Sequence, residues 1–193
     1  MSIEAHVVPF WKAQRLIPAI ICLGYAVYFF FDGAVGYPRS NNHWLKHQEY
    51  VEAHDLQGWL AYAKEHGWNP NPPEKFHNPA DLRGQFVFGG GLVVVGLAFF
   101  FYWFTQKDRM MSADDEAVVT PTGARVPYDA VISIDRRKWE TKGLARVRYD
   151  LEGKKGDFMI DDAKFDPDAS HEIFERIEER FLAREDATPD GAG

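Results

Sequence analysis

The chain has a single cysteine, Cys22, among its 193 residues. One cysteine can form neither a disulfide within the chain nor a thiolate zinc site. The sequence also lacks the G-x-S-x-G, P-loop, H-E-x-x-H and C-x-x-C patterns that mark nucleophilic, phosphate-binding and metal chemistry. Acids outnumber Lys and Arg by 29 to 22, which argues against nucleic acid as the main partner. We therefore expect no cofactor and no catalytic constellation.

Charge is absent from two long runs. No charged residue occurs between Arg83 and Lys107, where residues 86–104 read FVFGGGLVVVGLAFFFYWF. The other run, LIPAIICLGYAVYFFF, covers residues 16–31. About 20 apolar residues in a helix cross a hydrocarbon core of about 30 Å. We predict transmembrane helices at 16–31 and 85–104. The first is short, so we expect Phe10 and Trp11 to extend its apolar surface.

Alternatives exist for both runs. Either could be a buried core helix, and the first could be a signal peptide, although no small-x-small cleavage site follows it. Aromatic residues at the C-terminal end of each run, Tyr28–Phe31 and Phe99–Phe104, fit an interfacial belt. The runs contain no ionisable side chain except the Cys22 thiol and tyrosine hydroxyls, which argues against an ion or proton path.

Basic residues near the runs set the expected orientation. Four of them flank the outer ends of the hairpin, namely Lys12, Arg15, Lys107 and Arg109, and all four lie within about five residues of a predicted span. Four others lie in the connecting loop, namely Arg39, Lys46, Lys75 and Arg83, and of these only Arg83 is that close. Because cytoplasmic flanks carry more Lys and Arg, we expect both termini, including segment 1–15, in the cytoplasm. Segment 32–84 would then lie outside, and the protein would be a multi-pass protein of a bacterial cytoplasmic membrane.

Segment 32–84 reads as a helical loop. Ser40 or Asn41 is expected to cap a helix that begins near Asn42 and ends at Gly67. Gly58 would divide it into two helices, with Asp55 capping the second. The prolines between 68 and 79 favour an extended chain. Asn78 or Asp81 is expected to cap the second span.

Five of the seven histidines lie in this loop. His43 and His47 are spaced i, i+4, which lets two imidazoles meet one metal ion. His54 lies nearly two turns further along, so His66 or His77 would have to fold back to complete a site. The other interpretations are a polar or interfacial helix face that uses histidine, and a pH-sensitive contact.

The residues from Thr105 to Ala183 change to a strand period. Thr120–Gly123 signals a turn, LARVRYDL at 144–151 alternates strictly, and 152–156 reads as a hairpin before a strand at 157–161. Asp166 and Pro167 would begin a helix. Its apolar stripe consists of Ile173, Phe174, Ile177 and Phe181. We predict an α+β membrane protein whose domain, 105–183, is a small antiparallel barrel or sheet closed by this helix. The polar tail, 184–193, is predicted to be disordered.

Two groups of residues are candidates for contacts with partners. The first contains six basic residues against one acid, Glu140: Arg136, Arg137, Lys138, Lys142, Arg146 and Arg148. They could lie on an anionic leaflet or form a solvated strand face paired with acids. The second is Gly89, Gly90 and Gly91, which allow close packing against Ala19, Gly24 or another protein's helix. Asp161, Asp162, Asp166 and Asp168 lack EF-hand spacing, so strand-end solvation and capping account for them.

The tail resembles the bacterial pleckstrin-homology-like domains of small membrane proteins. The resemblance covers roughly residues 85–183 and rests on short segments: Tyr128–Ile132, Ile134–Asp135, Trp139, Lys142–Leu144, Ile160–Asp162 and Phe165. A two-helix membrane hairpin before the domain fits it, whereas the long histidine-bearing loop departs from it. The resemblance implies a scaffold or binding role. We expect a non-enzymatic accessory or assembly subunit that contacts lipid and other membrane subunits, with a metal-binding or enzymatic role of the loop histidines as the alternative.

Overall fold

The computed structural model describes residues 2–54 and 56–187. It is an α+β chain with two antiparallel sheets and two compact units. The sheet unit comprises the residues up to Leu16 together with those from Phe101 onward, and the helical unit comprises Ile17–Phe100. Both boundaries fall inside long helices.

The described residues of the sheet unit form seven strands in two sheets. The first has the order β1-β2-β3-β4, formed by Ile3–His6, Met110–Ala113, Ala117–Val119 and Arg125–Pro127. The second has the order β5-β6-β7, formed by Val131–Lys138, Leu144–Leu151 and Lys154–Asp161. A 3₁₀ turn at Tyr128–Ala130 precedes β5, and the short helix α5, Trp139–Lys142, connects β5 to β6. The predicted antiparallel sheets are therefore confirmed.

The C-terminal helix of this unit, α6, spans Pro167–Ala187. Asp166 Oδ1 accepts a hydrogen bond from the Ala169 N–H, and Pro167 is the first helical residue, as predicted. Ile173, Phe174 and Ile177 are buried against the strands, and Phe181 is partly buried. The apolar stripe therefore closes the core of the sheet unit.

The first strand, β1, is a feature that our sequence reasoning missed. Ala5 pairs with Met111 in β2, and Val7 bridges to Phe165 just before α6. Trp11 then enters the same core with 5% of its surface exposed. The expectation that Trp11 extends the apolar surface of the first span is therefore wrong, because this side chain is buried among the strands.

Two turns follow from the sequence. Thr120–Gly123 joins β3 to β4, and the Gly123 N–H donates to the Thr120 carbonyl. Glu152 and Gly153, both with positive φ, join β6 to β7. Two consecutive left-handed residues match the right-handed twist of a hairpin.

The first long helix is continuous, which contradicts one prediction. α1, Pro9–Phe31, passes through a π-helical turn, Asp32–Gly36, into α2, Tyr37–Ala53. Ser40 and Asn41 therefore lie inside a helix and do not cap one near Asn42. Pro38 has no N–H to offer residue 34, and the wider turn, in which the Tyr37 N–H reaches the Asp32 carbonyl, accommodates that loss.

The rest of the loop largely follows expectation. A 3₁₀ turn at Leu56–Gly58 precedes α3, Trp59–Glu65, so α2 and α3 are separate. Gly67 ends α3 with φ of 69°. The predicted cap at Asp55 lies outside the described residues. The next helix, α4, spans Pro79–Gln106. At its start, Asn78 Oδ1 accepts hydrogen bonds from the N–H groups of Ala80 and Asp81, as predicted for Asn78.

Among the described residues, two helices are long and apolar enough to cross a membrane, namely Pro9–Ala53 and Pro79–Gln106. Only 17% of the most apolar stretch of the first is buried, and 11% of that of the second. Neither stretch is thus the buried core helix that we considered as an alternative.

The predicted disorder of the tail is wrong for its first part. Residues 184–187 continue α6, and the Arg184 guanidinium donates to the carbonyls of Asp129 and Val131 at 2.6 Å each. These hydrogen bonds hold the last turn of α6 against the start of β5. Residues 188–193 lie outside the described residues.

Candidate functional site

The predicted basic group is divided between two sides of the sheet β5-β6-β7. Arg146 and Arg148 are exposed in β6, whereas Ala145 and Val147 between them are buried. We call the exposed side the outer sheet face. Arg136 instead forms an ion pair with Glu178 of α6. Lys138 ends β5 and Lys142 lies in α5, both exposed.

Acids neutralise part of the outer sheet face. Asp135 receives two hydrogen bonds from the Arg137 side chain, at 2.9 and 2.6 Å. These bonds, a backbone N–H and the charges of Arg137 and Arg148 hold the pKa of Asp135 well below its usual range. Arg146 lies 3.5 Å from an Asp157 oxygen. The face therefore carries paired charges of both signs rather than a uniform positive patch.

A shallow cavity of about 230 Å³ lies on this face. Its lining combines charged and apolar side chains: Asp135, Arg137, Lys138, Leu144, Ala145, Arg146 and Met159. Met159 and Ile132 are large apolar residues exposed on this sheet. Mixed charge around an apolar centre is a surface suited to contact with a protein rather than with a polyanion.

The three candidate glycines of α4 face different surroundings. A Cβ at Gly89 would lie 3.0 Å from the Phe30 ring, so α1 approaches α4 at this point. A Cβ at Gly90 or Gly91 would meet nothing within 4 Å. Gly96 lies against Leu23 and Cys22. Gly89 and Gly96 therefore let the two helices of the hairpin pack, with Phe30, Leu23 and Cys22 nearest to them. Of the two expected contacts on α1, Ala19 is buried, whereas a Cβ at Gly24 would meet nothing within 4 Å. Gly90 and Gly91 remain open.

Each of the five loop histidines packs against an aromatic ring. His43 and His47 both contact Trp59, at centroid distances of 6.0 and 4.8 Å. Trp59 is 3% exposed. The other three rings stack in neighbouring pairs: Tyr50 with His54, Tyr62 with His66 and Tyr37 with His77. Periodicity predicts the shared face of His43 and His47, but gives no indication that Trp59 covers it.

No group of three His, Cys, Asp or Glu side chains that could hold a metal occurs within 2–54 and 56–187. His43 is buried, and its Nε2 has no hydrogen-bond partner among the described residues. Aromatic packing therefore accounts for the positions of His43 and His47 without a metal ion. A polar cavity of about 850 Å³ beside His43 is lined also by Arg39, His66, Trp68 and Asn69.

Comparisons of the chain with models of protein families, with curated proteins and with solved structures found no match.

Proposed function

We propose that this chain is a non-enzymatic integral membrane protein that serves as an accessory or assembly subunit of a larger complex in a bacterial cytoplasmic membrane. The exposed apolar surface of α1 and α4 is the observation that carries the proposal. Ile20, Val27, Val87 and Val94 are each more than half exposed. Large apolar side chains exposed along both helices indicate contact with a membrane or another protein.

Strand pairing supports an even number of crossings. β1 precedes α1 and β2 follows α4, and these two strands are hydrogen-bonded neighbours. If α1 and α4 both cross the bilayer, their outer ends must lie on the same side. The basic residues at those ends favour the cytoplasm for that side. The loop between α1 and α4, which contains Trp59 and the five histidines, then lies outside.

Two surfaces are suited to partners. The outer sheet face offers charges of both signs around Met159 and Ile132. Within the hairpin, Gly90 and Gly91 leave space for a helix of another subunit, because small residues permit close approach of two backbones. We place protein contacts at these surfaces, in keeping with the scaffold role that the pleckstrin-homology-like resemblance implies.

The decisive experiment is purification of the full chain from membranes with a gentle detergent, followed by identification of bound proteins. Carbonate washing at high pH should first leave the chain in the membrane pellet. Gly91→Leu should then lower the recovery of a specific membrane partner, whereas the hairpin stays folded because the added side chain meets open space.

Gly89→Leu is the contrasting variant. Its side chain would collide with Phe30, so it should destabilise the hairpin itself. Release of the chain by carbonate would refute the membrane proposal, and full partner recovery with Gly91→Leu would remove this glycine from the contact. Stoichiometric zinc or copper, lost in His43→Ala with His47→Ala, would instead support a metal-binding function.

A further inference from the structure

A second charged site lies within the sheet unit and shares Met159 with the cavity on the outer sheet face. It is a cavity of about 300 Å³, which we call the Lys164 cavity. Trp11 and Arg15 of α1, Tyr102 of α4, Lys164 and Phe165 contribute to its lining. Sequence reasoning missed it because its two cations lie at opposite ends of the chain.

Lys164 is a half-buried cation. Its Nζ donates a hydrogen bond to Gln106 Oε1 at 2.8 Å and lies 5.1 Å from the centroid of the Trp11 ring. No carboxylate among the described residues lies within ion-pair distance of this ammonium group. Burial, and then the nearby charge of Arg109, lower the pKa of Lys164. The charge of Asp161 opposes these effects only in part. The ammonium group therefore has a carboxylate nearby but no ion pair among the described residues, at a place where water solvates it incompletely.

Arg15 brings a second cation to the same ring. Its guanidinium carbon lies 5.3 Å from the centroid of Trp11. The cavity also contains two acids, and both are engaged: Asp157 pairs with Arg146, and Asp161 accepts the backbone N–H groups of Ala163 and Lys164. Arg15 and Lys164 thus face the cavity with donors that no carboxylate among the described residues occupies.

The position of these residues along the chain indicates the source of an anion. Arg15 directly precedes the uncharged run 16–31, and Tyr102 lies near the end of the other run. In a membrane-spanning hairpin, Trp, Tyr and basic residues at such positions lie at headgroup level. Basic pockets at the cytoplasmic ends of membrane helices bind anionic headgroups.

We propose that the Lys164 cavity binds the phosphate-bearing headgroup of an anionic glycerophospholipid, with Lys164 and Arg15 contacting the phosphate oxygens. This inference rests on the proposed membrane function. Lysine supplies a point charge and arginine a planar fork, and charge-assisted hydrogen bonds to phosphate are stronger than those between neutral groups. Trp11 forms the apolar floor beneath both cations.

The test uses the full chain in mild detergent and native mass spectrometry with added phosphatidylglycerol. The wild type should retain this lipid in preference to phosphatidylcholine. Arg15→Gln with Lys164→Gln should weaken retention by about tenfold or more, since each basic residue near an anionic surface contributes a factor of about five. Lys154→Gln with Lys155→Gln removes the same charge from the exposed hairpin and should change retention little.

Several results would overturn the proposal. Unchanged lipid retention in the Arg15 and Lys164 double variant would exclude the cavity, and equal retention of phosphatidylcholine would exclude anionic selectivity. Displacement of the lipid by excess glycerol 1-phosphate would assign the site to a soluble phosphate instead. Lys164→Arg keeps the charge and should keep binding, which separates lost charge from lost folding. Carbonate washing separates failure of the lipid site from failure of the proposed membrane function. A chain that stays in the membrane pellet but does not select phosphatidylglycerol refutes only the lipid site.

Discussion

Truncation of Phe174 should unfold the sheet unit at a much lower temperature than in the wild type. This side chain is 2% exposed, and its ring centroid lies 4.2 Å from that of Trp139. Replacing a buried Phe with Ala costs about 3–5 kcal/mol, and a domain has about 5–15 kcal/mol in total. At about 4–8 °C per kcal/mol for a domain of this size, Phe174→Ala should lower the apparent Tm by at least about 12 °C.

Thermal unfolding of the full chain in mild detergent, followed by protease sensitivity of the segment after Gln106, measures this shift. Leu182→Ala is the matched control, because Leu182 lies in the same helix and is 49% exposed. Substitutions at such positions usually change stability by no more than about 0.5 kcal/mol. Equal shifts in the two variants would refute the assignment of the α6 stripe to the core.

Three further predictions test separate features. Ala5→Asp should destabilise the sheet unit and raise its protease sensitivity, because it buries an unpaired carboxylate in β1; wild-type resistance would contradict the N-terminal strand. The pKa of Asp114 is lowered to about 2, chiefly by hydrogen bonds from Arg125, so its contribution to stability is complete above about pH 4 and is lost as the pH falls toward 2. Asp114→Asn should therefore flatten the acid limb of a pH-dependent unfolding curve, and an unaltered limb would argue against the pairing. In a cysteine-free background, Asn71→Cys should react with an impermeant thiol reagent in intact cells and Lys155→Cys should not; the reverse pattern would invert the topology.

The elements that were predictable are those whose signal is local. Strand β6 was found because one face of Leu144–Leu151 is buried and the other wet, so the period of two is visible in eight residues. The start of α6 was found because Asp166 and Pro167 carry the cap themselves. Each of these signals lies within the element that it predicts.

The elements that were missed depend on partners far away in the sequence. β1 spans only four residues, Ile3–His6, and it exists because β2, more than a hundred residues later, offers an edge. The continuous helix through Asp32–Gly36 was missed for another reason. Polar residues and Pro38 suggest a break, whereas a π-helical turn absorbs the proline without ending the helix.

The candidate sites show the same difference between local and distant information. The i, i+4 spacing of His43 and His47 correctly places both on one face, but the neighbour that explains them is Trp59 on another helix. Metal ligation and aromatic packing produce the same spacing. The position of α3 shows the aromatic contacts of both histidines, which the spacing alone does not indicate.

The two candidate binding surfaces differ in whether their basic side chains already form ion pairs with acids. The conspicuous basic run is met by acids from other elements: Asp157 of β7 pairs with Arg146 and Glu178 of α6 pairs with Arg136. Arg15 and Lys164 form no cluster in the sequence, yet both lie over Trp11, and no carboxylate of the described residues pairs with either. At the outer sheet face an incoming anion would compete with Asp135 and Asp157 for Arg137 and Arg146. At the Lys164 cavity Asp161 lies near Lys164, but no carboxylate of the described residues forms an ion pair with Lys164 or Arg15. The stronger electrostatic gain on binding an anionic headgroup is therefore expected at the cavity, and the outer sheet face is better suited to a protein that carries charges of both signs.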